Sequence, residues 1–287
     1  MILELRTFIT VVRLGTFAAA GEAIGLTQSA VSGQMKRLED KVGHTLFERT
    51  GRSAQLNKTG LLVFEKAQLL LSLADTLTEP VDPLAQSGTL NIGAIASSHL
   101  RPLRQVLFEF ASEYPNMRQS VIPGTSLELL DKVDTRNIDL AIIIKPNFKP
   151  PSSIEWVKLW DEPFVLIAPL TWDIDEVYTA LRTLPFVRYS RISFGGRQVD
   201  KYLTTHQIKP KDIVELDDIP TILSLVGDGK GIAIIPKVEA YASMFTAVNT
   251  IELDNTDFKR EIGIIHSRIL QKPSLRFIEL CRIAQTN

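Results

Sequence analysis

The sequence is poor in the residues that disulfide and metal chemistry require. Its one cysteine, Cys281, excludes an intramolecular disulfide and any CxxC metal motif. The four histidines show no HExxH spacing and no GxSxG elbow is present, so we expect neither a metal site nor catalysis. The scarcity of cysteine also fits a reducing, cytoplasmic compartment.

Long hydrophobic runs are missing as well. No apolar run reaches the ~18 residues that a membrane span requires. The start of the chain, Met1-Ile2-Leu3 followed by Glu4 and Arg6, lacks the basic-then-apolar pattern of a secretion signal. We therefore expect a soluble protein that is not exported and has no membrane partner.

Excess charge of one sign is also absent, because the net charge is only −1, but the charges are unevenly placed. Residues 1–58 contain eight basic and five acidic side chains, a balance of +3, which leaves about −4 for the remainder. A surface that binds nucleic acid is expected to be basic because it neutralises phosphates. The asymmetry indicates that only the N-terminal end meets nucleic acid.

The stretch from Phe17 to Lys41 predicts two short helices joined by a turn. Its small residues predict a first helix that another helix can cross closely, and Gly25-Leu26 predicts the turn. Thr27 is the expected N-cap of the second helix, whose apolar residues recur at i, i+4 and i+7. These are Val31, Met35 and Leu38, and they leave Gln28, Ser29, Ser32, Gly33, Lys36 and Arg37 more exposed.

This outer face has the composition of a surface that reads DNA. Gln and Ser can hydrogen-bond base edges or phosphates, and Lys36 and Arg37 can neutralise phosphates. An ordinary surface hairpin of helices would have the same apolar spacing without needing these exposed side chains. We therefore predict a helix-turn-helix that binds double-stranded DNA, with Thr27 among its contacts.

The same stretch, extended to Gly60, resembles the signature of LysR-type transcriptional regulators. The matching residues read AAxxIGLTQSAVSxQMKRLEDKVGxxLFERTGRxxQLNKTG. The resemblance implies an α+β multidomain protein that binds a promoter inverted repeat, with RNA polymerase as a further candidate partner. Its expected parts are a winged helix-turn-helix at 1–58, a dimerisation helix and hinge at 59–87, and an effector-binding domain at 88–287.

Residues around the helix pair predict a complete winged head. Apolar residues between Leu5 and Val12 recur with helical spacing and predict a preceding helix. Short extended runs at 46–49 and 54–56 flank a segment with the composition of a hairpin turn. Arg52 at its tip is expected to reach a phosphate or the minor groove, and a solvated loop arginine is the alternative.

Thr59 is the expected N-cap of a long helix that continues to about Thr78. Its apolar residues form two rows, Phe64, Ala67, Leu71 and Ala74 at 3-4-3 spacing and Val63, Leu70 and Leu77 seven residues apart. More than its own chain must cover such a helix. We predict a dimerisation helix that makes a homodimer or homotetramer, and burial in one large core is the alternative.

Beyond Gly88 the pattern alternates between strands and helices. Strands are predicted at 89–95, 118–122, 140–144, from 164 onward and at 262–266, with helices between them. The LysR resemblance implies the two-lobed architecture of periplasmic solute-binding proteins. The expected lobe I is about 88–162 and 267–287, and the expected lobe II is about 163–266, with a cleft between them.

Polar loops between strands and helices supply the candidate effector contacts. Ligands of α/β sheets bind at the carboxyl ends of strands, often on helix N-termini. The candidates are Ser97, Ser98, His99, Thr125, Ser126, Ser193, Phe194 and Arg197, and the resemblance implies Ser97 and Thr125 as contacts. Two helix N-termini and Arg197 favour an organic anion as effector, and no other cofactor is expected. Helix capping alone is an alternative role for the hydroxyl groups.

Two other classes of protein share parts of this pattern. One is a transport-associated solute-binding protein, and the other is an enzymatic α/β domain with an accessory helical head. Ser97-Ser98-His99 suggests a nucleophile and base, but neighbours in sequence rarely adopt triad geometry. A solute-binding protein would carry a signal peptide and no DNA-binding head. We therefore predict a transcriptional regulator with no catalytic residue.

Overall fold

The computed structural model describes residues 1–48, 53–77, 82–99, 103–254 and 257–284. The chain divides into two compact units, residues 1–80 and residues 81–287. We call the first unit the head and the second the C-terminal unit. The head has one hydrophobic core of its own, and the C-terminal unit has two.

Helices build the head, as the apolar spacing predicts. They are α1 Ile2–Leu14, α2 Phe17–Ile24, α3 Gln28–Val42 and α4 Lys58–Thr76. Phe8 of α1 and Val31 and Leu38 of α3 are completely buried in the shared core. Gly25 has a left-handed backbone (φ 70°) and forms the predicted turn between α2 and α3, a conformation that glycine adopts at little cost.

The two extended runs after α3 pair in antiparallel fashion. Phe47 bridges Leu56, and the Glu48 amide donates to the Gln55 carbonyl over 2.8 Å. This pairing is the base of the predicted wing. Its tip, including the candidate DNA contact Arg52, lies outside the described residues.

The start of α4 corrects one prediction. The helix begins at Lys58, and the Gly60 amide donates to the side chain of Asn57 over 2.8 Å. Asn57 is therefore the N-cap, and the expectation that Thr59 caps this helix is wrong. Both residue types can cap helices, and the chain enters the helix earlier than the sequence pattern indicated.

Helix α4 uses its apolar residues in two ways. Ala67 and Leu71 are buried in the head's own core, and the Phe64 ring packs edge-on against Phe8 at 6.1 Å. One of the two predicted rows therefore serves the head itself. The remaining leucines are exposed in the single chain: Leu61, Leu62, Leu69, Leu70, Leu73 and Leu77.

The C-terminal unit alternates strands and helices. Its first part contains β1 Gly88–Ala94, α5 Leu103–Glu113, β2 Met117–Pro123, α6 Ser126–Asp134, β3 Leu140–Ile144 and β4 Ile154–Pro169. Its second part contains α7 Val177–Thr183, β5 Pro185–Tyr189, α8 Phe194–Thr205, β6 Lys211–Leu216, α9 Ile219–Gly227, β7 Ala233–Pro236, α10 Ala242–Phe245, β8 Val248–Glu252, β9 Lys259–Ser267 and α11 Lys272–Ile283.

Two sheet regions share the long strand β4. Its first half pairs with β9, which continues the order β2-β1-β3-β9, and its second half pairs with β7 and β8. Strand β1 is parallel to β2 and β3, whereas β9 is antiparallel to both β3 and β4. We call the region around β1, β2, β3 and β9 lobe I, and the region around β5, β7 and β8 lobe II. Each lobe has a separate core.

Strand β9 corrects the predicted boundary of the lobes. The chain was expected to return to lobe I near residue 267, but β9 begins at Lys259 and already pairs with β3. Ile262, Ile264 and Ile265 of this strand are buried in the lobe I core. The return therefore lies before Lys259. The apolar spacing identified the strand but not the lobe to which it belongs.

Cys281 lies in α11 and is completely buried. Burial raises the pKa of its thiol to about 12, because a thiolate is unfavourable in an apolar core. The thiol therefore stays protonated at neutral pH and is a packing residue of lobe I. Within the described ranges, no helix is both long and apolar enough to cross a bilayer.

Candidate functional site

Helix α3 presents the predicted polar face. The Thr27 hydroxyl accepts a hydrogen bond from the Ala30 amide over 3.2 Å, which is the expected N-cap. Gln28, Ser29 and Ser32 are exposed, and Gly33 is half-buried. The helix thus keeps its apolar side in the head and its hydroxyl and amide groups toward solvent.

The basic side chains on this face differ in their surroundings. Lys36 is exposed and has no hydrogen-bond or ion-pair partner within the described residues. The Arg37 Nε lies 3.9 Å from a Glu4 carboxylate oxygen, to which Lys41 Nζ approaches more closely, at 2.9 Å. Exposed ion pairs of this kind contribute little to stability. Both Lys36 and Arg37 therefore remain able to bind a phosphate.

Gly33 has no steric role inside the head. A methyl group placed there would meet only the Arg37 side chain, at 3.7 Å, whereas one placed on Gly21 would meet the Leu26 carbonyl at 2.6 Å. We expect Gly33→Ala to stabilise α3 by up to ~1 kcal/mol, because alanine is the better helix former. Slower hydrogen exchange of the α3 amides measures this gain. Gly21→Ala is the matched control, and we expect it to accelerate exchange because its methyl group would clash with the Leu26 carbonyl. Faster exchange in Gly33→Ala would contradict the conclusion that Gly33 has no steric role in the head.

The C-terminal unit contains a cavity of about 310 Å³ between lobes I and II. Its wall includes Ser97 and Thr125 from lobe I, Tyr189 and Asp218 from lobe II, and Arg260 from β9. The carboxyl ends of β1 and β2 lead into this wall, as the general rule for ligands of α/β sheets predicts.

A buried hydrogen-bond network joins the two lobes at this cavity. Arg260 is 1% exposed, and its Nε donates to Glu162 over 2.6 Å. Its Nη1 donates to the Tyr189 hydroxyl over 3.1 Å and its Nη2 to the Ser97 hydroxyl over 3.0 Å. Ser97 belongs to lobe I and Tyr189 to lobe II. A ligand that contacts this network therefore acts on both lobes at once.

The charge of Arg260 is retained in spite of its burial. Burial alone disfavours the guanidinium cation, but the Glu162 carboxylate outweighs that effect, so that the pKa of Arg260 is raised. Glu162 also accepts a hydrogen bond from Trp160 Nε1 over 3.0 Å. Burial raises the pKa of the Tyr189 hydroxyl, which stays neutral. The base of the cavity is thus a neutral ion pair surrounded by hydroxyl groups.

Five predicted effector residues line this cavity: Ser97, His99, Thr125, Ser126 and Ser193. Several of them also stabilise the local backbone. Thr125 caps α6 in a capping box with Glu128, and Ser193 caps α8 by accepting from the Gly196 amide over 3.0 Å. Ser126 accepts from the Ile144 amide over 3.1 Å, and His99 Nε2 donates to the Ala94 carbonyl over 3.1 Å. Thr125 and Ser193 therefore cap helices, as the alternative states, and also line the cavity.

Three predicted effector residues are not part of this wall. Ser98 is completely buried, and among the described residues its hydroxyl has no hydrogen-bond partner. Phe194 is buried and packs edge-on against Phe148 at 5.8 Å. Arg197 is exposed in the first turn of α8, where its Nε donates to the Arg191 carbonyl. The sequence placed 194–197 in a loop, whereas the structure makes it the start of a helix.

The cavity also contains charged residues that the sequence pattern did not indicate. Besides Arg260 they are Glu128, Asp217 and Asp218. Glu128 and Asp218 accept hydrogen bonds at the N-termini of α6 and α9, from the Thr125 and Thr221 amides, both over 2.9 Å. Burial raises the pKa of Asp217. The adjacent acidic residues Asp217 and Asp218, just after β6, could have indicated this part of the cavity. No pattern in the sequence links them to Arg260.

Comparison with known families assigns both units. The bacterial regulatory helix-turn-helix family of lysR proteins matches residues 2–61, and the LysR substrate binding domain matches residues 85–284. The chain belongs to the LysR family. It is therefore a DNA-binding transcriptional regulator whose C-terminal unit is the effector-binding domain, as the resemblance implied.

Individual LysR relatives and solved structures match most or nearly all of the chain. The transcriptional activator IlvY of Haemophilus influenzae is 28% identical, in an alignment that covers 95% of this chain and 96% of IlvY. A full-length OxyR variant of Pseudomonas aeruginosa has a TM-score of 0.67 at 22% identity, covering 99% and 94%. The effector-binding domain of QuiR in complex with shikimate has a TM-score of 0.61 at 17% identity, covering 70% and 98%. At these identities the two structures support the fold alone.

Proposed function

We propose that the protein regulates transcription by ligand-gated binding to a promoter inverted repeat. A homodimer, or a dimer of dimers, presents two heads to the two half-sites. A small molecule in the cavity between the lobes shifts their arrangement and thereby the operator affinity. The Arg260 network is the main support for this proposal, because a ligand that contacts the network contacts both lobes. We also infer that the protein has no catalytic activity and works in the cytoplasm, where its DNA lies.

We assign base reading to the start of α3 and phosphate binding to its basic residues. Gln28, Ser29 and Ser32 are the exposed hydrogen-bonding groups, and Lys36 and Arg37 supply positive charge. Arg52 keeps its proposed role at the wing, and Thr27 fixes the helix start. We expect Gln28→Ala to lose ~1–3 kcal/mol of discrimination at one base pair.

Selection of bound sequences from a random DNA pool tests this assignment. Lys36→Ala is the matched control, because loss of a phosphate contact weakens all sequences alike and lowers the salt dependence. An unchanged sequence preference in Gln28→Ala would remove this residue from base recognition.

We propose a carboxylate-bearing effector, in keeping with the predicted organic anion, but with Arg260 instead of Arg197 as its partner. Ser97 and Arg260 line the cavity together, and three of the five N–H groups of Arg260 are used by Glu162, Tyr189 and Ser97. Three carboxylates share the wall, so a second, cationic group on the ligand would find a partner in Asp217. A zwitterion suits this arrangement better than a simple anion.

Thermal shift of the full chain with amino acids and with the matching acids that lack the amino group tests the ligand class. We expect only the amino-bearing compounds to raise the melting temperature, since binding to the native state stabilises it. Asp217→Asn is expected to remove this preference while Ser97→Ala weakens all binding. Equal shifts for both compound series in the wild type would exclude the zwitterion.

A further inference from the structure

A second cavity of the C-terminal unit shares no lining residue with the first. It has a volume of about 630 Å³ and is lined by the loop that follows β3, one face of α8 and the start of β9. Four basic side chains lie in its wall, namely Lys145, Arg197, Lys201 and Lys259, against the acidic Asp257 and Glu261. The first cavity has the opposite balance, with three carboxylates and one arginine.

Two of these cations are already neutralised. Lys145 forms a close ion pair with Glu261, and Lys259 Nζ lies 2.8 Å from an Asp161 carboxylate oxygen. The other two lie on α8, one helical turn apart. Lys201 has no hydrogen-bond or ion-pair partner among the described residues, and Arg197 uses only Nε for hydrogen bonding, donating to the Arg191 carbonyl over 3.3 Å. The terminal nitrogens of Arg197 can therefore bind a ligand.

The acidic residue of α8 does not compensate these charges. Asp200 is bound by two arginines, Arg188 at 3.3 Å and Arg191 at 3.6 Å. Arg188 and Arg191 also bind Asp212, so this cluster satisfies its own charges. The described wall contains four basic side chains and only two acidic ones, Asp257 and Glu261, which leaves an excess of positive charge.

Aromatic rings form another part of this wall. Tyr202 stacks on Phe258 with a centroid distance of 4.4 Å and an interplanar angle of 9°, and His206 packs on Tyr202 at 4.2 Å. His206 Nδ1 donates to the Tyr202 carbonyl over 2.8 Å, which fixes the ring. The cavity therefore combines available cations with a wall of packed aromatic rings on one side.

We propose that this basic cavity is a second ligand site, which takes a small organic or inorganic dianion through Arg197 and Lys201. A guanidinium binds planar carboxylate or phosphate oxygens in a bidentate manner, and a lysine adds a mobile positive charge. Phosphate esters and dicarboxylates both meet this requirement. The predicted anion contact of Arg197 is thus retained, but at a site other than the cleft between the lobes.

Isothermal titration of the full chain with sodium phosphate and with succinate, at constant ionic strength, tests the site. We expect saturable binding of at least one anion by the wild type, and a loss of at least about tenfold in affinity in Arg197→Ala/Lys201→Ala. Both residues are exposed, so we expect the double variant to keep its fold. Lys230→Ala removes the same type of charge outside the cavity, and Ser97→Ala alters the first cavity; both are expected to bind like the wild type.

Three results would overturn the proposal. The first is an absence of saturable binding of either anion by the wild type, and the second is equal binding by the double variant. The third is loss of binding in Ser97→Ala, which would place the anion in the first cavity. A fall in DNA affinity of the double variant, without anion binding by the wild type, would assign the basic surface to nucleic acid and also exclude the ligand site.

Discussion

Replacement of Arg260 by methionine is expected to destabilise the C-terminal unit by ~3–5 kcal/mol, which is the usual cost of leaving one member of a buried ion pair uncompensated. Arg260 and Glu162 are 1% and 3% exposed, so water cannot solvate the remaining carboxylate. Ser97 and Tyr189 would lose their shared donor at the same time. Urea unfolding followed by tryptophan fluorescence measures the loss, because all three tryptophans lie in this unit.

The double variant Arg260→Met/Glu162→Gln is the control for this interpretation. It removes both charges and keeps a side chain that can accept from Trp160, so we expect it to recover a large part of the lost stability. Such recovery would show that the uncompensated carboxylate causes the loss. A double variant as unstable as the single one would instead point to the packing of the arginine itself.

Substitution of Leu73 by glutamate is expected to weaken self-association by at least about 100-fold. Leu62, Leu69 and Leu73 follow one another at i, i+7 and i+11, on one side of α4. Leu73 is 57% exposed in the single chain, whereas Ala67 and Leu71 fill the head's own core. In a two-fold symmetric interface each substitution acts twice, so one buried charge per chain carries a large penalty.

Sedimentation of the variant across a concentration series measures the effect. Leu170→Glu is a matched control because Leu170 is 58% exposed and lies on the C-terminal unit, outside α4. We expect Leu73→Glu to sediment as a smaller species with an intact fold and to lose operator affinity, since one head then contacts only one half-site. Sedimentation identical to the wild type would assign the exposed leucines another role.

The head could be predicted closely because its determinants are local. The Thr27 cap, the Gly25 turn and the burial of Val31 and Leu38 depend on residues a few positions apart. The cap of α4 was misplaced to Thr59 because the sequence offers two capping residues close together. The hydrogen bond from the Gly60 amide to the Asn57 side chain identifies Asn57 as the N-cap.

The cavity could be predicted only in part, because its chemistry depends on contacts distant in the sequence. Arg260 lies 98 positions from Glu162 and 163 from Ser97, so no local pattern identifies a buried arginine among the isoleucines of β9. The loops at Ser97 and Thr125 were predictable because they follow strands and precede helices. The sequence pattern indicates a loop at the start of α8, and a loop there would place Arg197 in the cleft.

A binding titration tests sequence-specific regulation directly, with DNA from the region upstream of the protein's own gene compared with a scrambled duplex of the same composition. At physiological salt we expect the upstream DNA to bind at least about 10³-fold more tightly, with an affinity that falls steeply as salt is raised. Equal affinity for the two duplexes at every salt concentration would contradict the assignment of this protein as a sequence-specific regulator.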